Sequence, residues 1–279
     1  MKEVLIKEYN NLENLRIEPK KDDFLYNIHF IGGAFCEIRG AEDTNFRIEF
    51  IDKKTNEFLH YHDITNNMWT RTNAKYFVDY LIKIKNRDTG EVIHECEYNA
   101  KGKRVMICFD SKAIGDTLAW FPYVEEFRKK HECEVVISTF HNEWFKENYP
   151  DLEFIEPGDT AYNLYARYDI GWYYNEPDYA EDNTIDFSKT PTDFRKNPLG
   201  KTCSDILGLD FEEIKPKLTF KNTGSTIEGD YVVIAPHGSA HAKYWNREGG
   251  WQDVIDHLNN NGYKVVMITQ EPLGDEWHD

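Results

Sequence analysis

Apolar and polar residues alternate with a period of two through much of the first hundred residues. This pattern is typical of strands with one buried face, and it predicts strands over residues 25–31, 46–51, 76–84 and 91–98. Turn residues separate these runs, including Gly32-Gly33, the polar stretch 52–56 and Asp88-Thr89-Gly90, which is a hairpin signal. Several short strands at regular spacing predict a small β sandwich or barrel over residues 1–102.

The pattern changes after a basic hinge at 101–104. A continuous apolar run at 105–109 predicts a buried strand, and spacing near 3.6 predicts a helix over 118–130. Pro122 is expected to kink this helix or shift its start. Further runs predict a strand at 134–140, a short helix at 144–149 and a strand at 152–155. Alternating strands and helices favour a parallel, Rossmann-like sheet over residues 103–228, the first α/β domain.

A polar and aromatic insertion interrupts this domain at 162–194. We interpret it as a strand over 168–174 followed by an exposed excursion, which suits a binding or assembly loop. The alternative is a solvated surface loop with aromatic side chains anchored in the core. A helix over 198–209 follows, and 215–220 extends toward a linker at 222–230.

A second α/β domain is predicted over residues 229–279, with a strand at 231–235, a helix at 251–260 and a strand at 264–269. This is a single β-α-β unit of about fifty residues, whereas such domains need roughly 100 to 150. We therefore expect a second Rossmann-like domain that is incomplete in this chain or completed by a partner.

Composition narrows the function classes. The 279-residue chain carries a formal charge of −17, which argues against non-specific binding to nucleic acid or to an anionic membrane. Its five cysteines form no Cys-x-x-Cys pair, so a zinc site is not expected. The N-terminus is charged and no 18-residue apolar stretch occurs, so we expect neither a signal peptide nor a membrane span, and a cytoplasmic location.

The first candidate site follows the strand at 105–109, where a polar loop leads into Gly115-Asp116-Thr117. Ligands of doubly wound α/β proteins bind at such strand ends, and free backbone N–H groups at a helix start favour anions. A carboxylate at this place has two interpretations. Asp116 is either the N-cap of the helix or a catalytic base.

The second candidate site follows the strand at 231–235. Gly238, Ser239 and Ala240 are small enough for backbone N–H groups to approach a phosphate. Lys243 supplies a positive charge suited to a diphosphate.

Two pairs of histidines are possible metal ligands. His60 and His62 share one face of a strand, and His237 and His241 lie four residues apart in a loop. Because no carboxylate or cysteine completes either set, we favour a non-metal role for both pairs.

Two of these motifs resemble a known family. The stretch Ile-Gly-Asp-Thr-x-Ala-Trp-x-Pro-Tyr-Val-Glu-Glu-Phe-Arg at 114–128 resembles the heptosyltransferases of glycosyltransferase family 9, and is closest to their bacterial autotransporter O-heptosyltransferase branch. The segment 237–246, with Gly250-Trp251 after it, resembles the donor loop of the same family. The resemblance covers most of the chain and implies a GT-B fold, in which two nucleotide-binding domains face a cleft. It implies ADP-heptose as donor and a protein hydroxyl as acceptor.

The resemblance also implies roles for individual residues. Asp116 matches the catalytic aspartate and Lys243 the lysine that contacts the donor phosphates. An inverting transfer needs a base for the acceptor hydroxyl and fixed donors for the departing diphosphate. The remaining candidates are His237, Gly238, Ser239 and Ala240 for donor binding, and Gly115 and Thr117 for shaping the loop.

The chain departs from the family in two ways. The cysteine cluster that holds an iron ion in the autotransporter branch is absent, as is the expected nucleotide-contacting loop, so no cofactor is expected. An inactive or incomplete relative, acting as a nucleotide-sugar binding or assembly module and forming a homo-oligomer, is therefore the alternative to a glycosyltransferase. A dinucleotide-dependent oxidoreductase is disfavoured because no Gly-x-Gly-x-x-Gly follows either leading strand.

Overall fold

The computed structural model describes residues 5–8, 23–40, 42–175, 184–219, 224, 227–238, 243–245 and 247–269. The chain divides into two compact units, Met1–Phe220 and Lys221–Asp279, and each is described by itself. The strands of the first unit are β1 (Leu5–Glu8), β2 (Asp23–Ile31), β3 (Phe35–Gly40), β4 (Asn45–Asp52), β5 (Glu57–Thr65), β6 (Met68–Arg71), β7 (Tyr80–Asn86), β8 (Val92–Glu97), β9 (Arg104–Phe109), β10 (Glu134–Ser138), β11 (Leu152–Ile155) and β12 (Ala166–Ile170). Its α-helices are α1 (Ile114–His131) and α2 (Leu199–Ile206).

One sheet of the first unit has the strand order β11-β10-β9-β12-β2-β3-β6, with β1 pairing beside β2. Strands β9 to β12 are parallel, whereas β2, β3 and β6 pair antiparallel. A short parallel pairing of β12 with β2 joins the parallel part of the sheet to the antiparallel part. In this pairing Ala166 and Arg167 lie opposite Phe30 and Ile31. A second, antiparallel sheet has the order β5-β4-β7-β8.

A continuous core joins both sheets to α1 and α2. Strand β9 is buried on both faces, as expected for an inner parallel strand. The helix α1 buries Trp120, Phe121 and Phe127 completely. Helix α2 packs closely against Tyr123 of α1. A methyl at Gly200 would lie 2.7 Å from the Tyr123 hydroxyl, so this close approach requires glycine.

The second unit contains β13 (Tyr231–Ile234), α3 (Gly250–Asn260) and β14 (Lys264–Met267). Strands β13 and β14 pair in parallel from Tyr231↔Lys264 to Ile234↔Met267. Gly249 caps α3 with φ +63°, a conformation that glycine adopts without strain.

The expected mixed α/β class with an additional antiparallel sheet is confirmed. The GT-B arrangement and the three domain boundaries remain predictions. Strands from 1–102 and from 103–228 share one sheet, so these two predicted domains are joined by backbone hydrogen bonds.

Three local predictions need correction. The first helix begins at Ile114, four residues before the predicted start, and continues through Pro122. Residues 144–149 form no α-helix, because a short 3₁₀ turn over Asn142–Trp144 leads into further turns. Strand β12 ends at Ile170 and not at 174, although Tyr174 makes an isolated antiparallel bridge to Ile185.

Candidate active site

The first candidate site lies where β9 ends and α1 begins. Asp110 follows β9 directly, and Ala113 is the N-cap residue of α1, with extended backbone and no side-chain cap. The Ser111 hydroxyl instead accepts a hydrogen bond from the Ala113 backbone N–H at 3.1 Å. The N-cap interpretation of Asp116 is therefore wrong, because Asp116 lies within the first turn of the helix.

Asp116 is held by two donors on one carboxylate oxygen. The Ser111 hydroxyl donates to Oδ2 at 2.6 Å, and the Trp172 indole N–H donates to the same oxygen at 2.9 Å. Within the described part of the chain, no donor reaches Oδ1. The half-buried carboxylate is therefore fixed through one oxygen and presents the other, at a helix end whose dipole favours negative charge.

The two neighbours of Asp116 support the same turn in different ways. Thr117 is fully buried, and both its hydroxyl and its backbone N–H donate to the Ala113 carbonyl at 3.1 Å. Gly115 is exposed, and a methyl placed there would contact nothing within 4 Å. The structure thus brings Gly115, Asp116 and Thr117 together at the helix start, with open space above the glycine.

The indole that binds Asp116 is fixed by packing. The Trp172 ring lies 5.3 Å from Trp120 and 5.1 Å from Phe194, measured between ring centroids. Because Trp120 is itself fully buried, the position of the indole N–H is set by the core. Sequence reasoning missed Ser111 and Trp172 as site residues, although an aromatic run directly after a parallel strand was a usable signal.

Tyr173, the residue after Trp172, also binds a carboxylate of the segment that joins β9 to α1. Its hydroxyl donates to Asp110 Oδ2 at 2.7 Å. Burial, and then the hydrogen bond to the Asp110 carboxylate, raise the pKa of the Tyr173 phenol well above its usual range, so it stays protonated. The backbone at Gly171 passes close to Asp110. A methyl at Gly171 would lie 3.1 Å from Asp110 Cβ, so the small size of glycine permits this approach.

The second candidate site is partly described. A methyl at Gly238 would lie 3.1 Å from Lys243 Cβ, so the loop after β13 folds back on itself. The rings of His237 and Tyr244 stack with centroids 5.4 Å apart. The structure therefore brings His237, Gly238 and Lys243 into one loop. Ser239, Ala240 and His241 lie outside the described residues.

The histidines and cysteines show how far the described residues could hold a metal ion. His60 and His62 contact each other through their Nε2 atoms on the exposed face of β5. Among the residues that the structure describes, no group of three or more His, Cys, Asp or Glu side chains is placed to hold a metal ion. The five cysteines are free. The described residues therefore do not fit an iron site.

The strand, loop and helix arrangement of this site can be compared with known proteins. No protein-family profile matches the chain. The chain is homologous to the bacterial autotransporter heptosyltransferases. It is 30% identical over 229 residues to BAHTCr of Citrobacter rodentium, covering 81% of this chain and 53% of that protein. It is 30% identical over 228 residues to Aah of Escherichia coli, covering 81% and 56%.

Solved structures of another heptosyltransferase, TibC, are also similar to the chain. The iron-containing dodecameric glycosyltransferase TibC from enterotoxigenic E. coli H10407 superposes with a TM-score of 0.77 and 26% identity, covering 94% of this chain and 65% of that chain. TibC in complex with ADP-D-beta-D-heptose gives 0.76 and 27%, covering 91% and 63%. The chain spans about half the length of the curated relatives it matches.

One relative carries a different description. The inactive autotransporter heptosyltransferase BimC of Burkholderia thailandensis is 27% identical over 197 residues, covering 70% of this chain and 44% of that protein. Separately, none of the helices in the described ranges is both long and apolar enough to cross a bilayer.

Proposed function

We propose that this chain is a glycosyltransferase that moves heptose from ADP-heptose to a hydroxyl group of a protein, such as a serine, by inverting displacement. The observation that carries the proposal is the Asp116 carboxylate, fixed through Oδ2 by Ser111 and Trp172 at the end of β9. Homology to heptosyltransferases and similarity to a TibC structure in complex with ADP-D-beta-D-heptose support the choice of donor.

In this proposal Asp116 is the general base. Its Oδ1 accepts the proton of the acceptor hydroxyl while the hydroxyl oxygen bonds to the anomeric carbon. The bond from that carbon to the diphosphate oxygen breaks at the same time, so ADP departs and the configuration inverts. A positioned base of this kind contributes about 10² to 10⁴-fold to the rate.

The second unit supplies the donor contacts. Lys243 meets the negative charge that develops on the departing diphosphate, and the other residues proposed to bind the donor are His237, Gly238, Ser239 and Ala240. Gly115 and Thr117 shape the turn that carries the base.

Assembly and location complete the proposal. TibC is a dodecamer, and we propose a homo-oligomer for this chain as well. The cytoplasmic location expected from the sequence is part of the same proposal, since nucleotide sugars are donors within the cell.

The test measures ADP release and sugar transfer from ADP-heptose, with a serine-containing acceptor protein. Asp116→Asn should lower transfer about 10² to 10⁴-fold while leaving ADP binding unchanged in calorimetric titration. Lys243→Met should weaken ADP binding about 10- to 100-fold, as expected for a lost charge-assisted hydrogen bond. Transfer that survives both substitutions would defeat the proposal.

A second candidate function is an inactive module that binds the nucleotide sugar or supports assembly. The inactive description of the relative BimC favours considering it. This alternative predicts ADP binding that depends on Lys243 but not on Asp116, with no turnover in the unsubstituted chain.

A further inference from the structure

A hydrogen bond joins the loops that follow two neighbouring parallel strands, β9 and β10. The Nε2 atom of His141, in the loop after β10, lies 3.1 Å from the backbone carbonyl oxygen of Lys112. A carbonyl oxygen only accepts, so the imidazole is the donor and Nε2 carries a proton. Nε2 is also protonated in the imidazolium, so this bond does not depend on the charge of His141.

His141 is held through both its ring and its backbone. The ring stacks on Trp144, with centroids 4.0 Å apart and planes at 9° to each other. The backbone N–H of His141 donates to the Thr139 hydroxyl at 3.0 Å. Thr139 is fully buried, and its own N–H and hydroxyl donate to Asn142 Oδ1 at 3.1 and 3.0 Å. The position of the imidazole is therefore set from the buried end of β10.

The bond reaches the segment that carries a donor to Asp116. Lys112 follows Ser111 directly, and the Ser111 hydroxyl donates to Asp116 Oδ2 at 2.6 Å. The same hydroxyl accepts from the Ala113 N–H at 3.1 Å, so the Lys112 peptide lies within this small turn. A displacement of the Lys112 carbonyl would therefore also displace the Ser111 hydroxyl from the carboxylate.

We infer that His141 is a positioning residue for the proposed base, because its Nε2–H holds the Lys112 carbonyl and thereby keeps the Ser111 hydroxyl on Asp116. The inference rests on the proposed function, and it adds the loop after β10 to the groups that fix the carboxylate. The role depends on the donated hydrogen bond and not on the imidazole ring. A side-chain amide of the right length should therefore replace the histidine.

Three substitutions separate the donor from the ring. His141→Phe keeps a ring to stack on Trp144 and loses the donor, so kcat should fall about tenfold while KM for ADP-heptose is unchanged. His141→Gln loses the ring but carries an amide N–H near the position of Nε2, so kcat should stay within about threefold of the unsubstituted chain. His141→Asn has the same amide on a shorter side chain and should be as slow as His141→Phe. The two amide variants lose the same stacking, so the comparison between them does not depend on it.

Amide hydrogen exchange over residues 110–117, followed by mass spectrometry, reports on the same loop without turnover. Exchange should quicken about tenfold in His141→Phe and His141→Asn, but not in His141→Gln. His60→Phe is the matched control, since His60 lies on β5 of the other sheet and contacts His62. It should leave both kcat and the exchange unchanged.

Two results would overturn the inference. One is a His141→Phe variant with the rate and the exchange of the unsubstituted chain, or with a change in KM alone. The other is a His141→Gln variant as impaired as His141→Phe. Failure of the proposed function would appear separately, as ADP-heptose turnover that is indifferent to Asp116→Asn while the exchange over 110–117 still responds to His141→Phe.

Discussion

The chain uses a strand, a loop and a helix twice, and the two versions differ in how firmly they are held. In the first unit, β9 and β10 are buried and the loop after β9 is fixed by side-chain hydrogen bonds. In the second unit, β13 and β14 are exposed or half-buried apart from Ile234. The same local motif is therefore more deeply buried in the first unit than in the second.

This difference matches the chemistry proposed for each loop. A base must reach a proton within hydrogen-bond distance, so Asp116 gains from a position set by the core. An ammonium on a flexible four-carbon stem can adjust to a diphosphate, so the role proposed for Lys243 demands less of the position of its backbone.

The largest expected effect is on the rate. Asp116→Asn keeps the size of the side chain and removes the base, so transfer should fall about 10² to 10⁴-fold. The measurement is single-turnover transfer from ADP-heptose with saturating donor. Asp110→Asn, six residues earlier at the end of β9, is the comparison and should retain the chemical step at saturating acceptor. Equal losses in both variants would contradict the assignment of the base.

The next expected effect is on the free energy of unfolding. It compares the same substitution, valine to alanine, in the two units. Val136→Ala in β10 removes two methyl groups from a site with 0% exposure, and it should cost about 2–3 kcal/mol. Val233→Ala in β13, at 48% exposure, should cost about 1 kcal/mol or less. Urea unfolding followed by circular dichroism measures both. Similar costs would mean that the second unit is as well buried as the first.

A smaller effect is expected for the residue that positions the base. Trp172→Phe keeps the aromatic packing but loses the N–H bond to Asp116, so kcat should fall about tenfold while KM for ADP-heptose is unchanged. Trp69→Phe is the control, since Trp69 lies on β6 and stacks on Phe35. A change in KM alone would argue for a purely structural role.

The last expected effect is a dependence of the stability of the first unit on pH. Burial, and then the neighbouring Lys130, lower the pKa of His131 from 6.5 to about 4. Between these values the unfolded chain binds more protons than the folded chain, so stability should fall as the pH falls from 6.5 toward 4. Urea midpoints at pH 7 and pH 5 measure the loss. His131→Phe should reduce it without removing it, because burial also lowers the pKa of His29 to about 4. An unchanged loss would refute the assignment.

Much of the fold was predictable because hydrophobic period reports burial directly. The strands at 105–109 and 134–140 and the helix at 251–260 correspond to β9, β10 and α3. The first turn of α1 escaped this reasoning because it is held by Ser111 and Thr117 hydrogen bonds, which leave no apolar pattern. The pairing of β2 with β12 was equally invisible, since it joins residues far apart in sequence.

The candidate site was predictable only in part. A glycine and an aspartate after a buried strand pointed to Asp116. Its partner Trp172 lies 56 positions away, and only the fold brings the two together. The roles of Lys243 and its loop remain predictions.

The shared sheet has a practical consequence for dissecting this molecule. Cutting the chain near residue 103 would strip β2 from β12 and leave a parallel strand with an unsatisfied edge. A fragment designed around the Asp116 loop should therefore keep the preceding strands, or it will tend to self-associate through that bare edge.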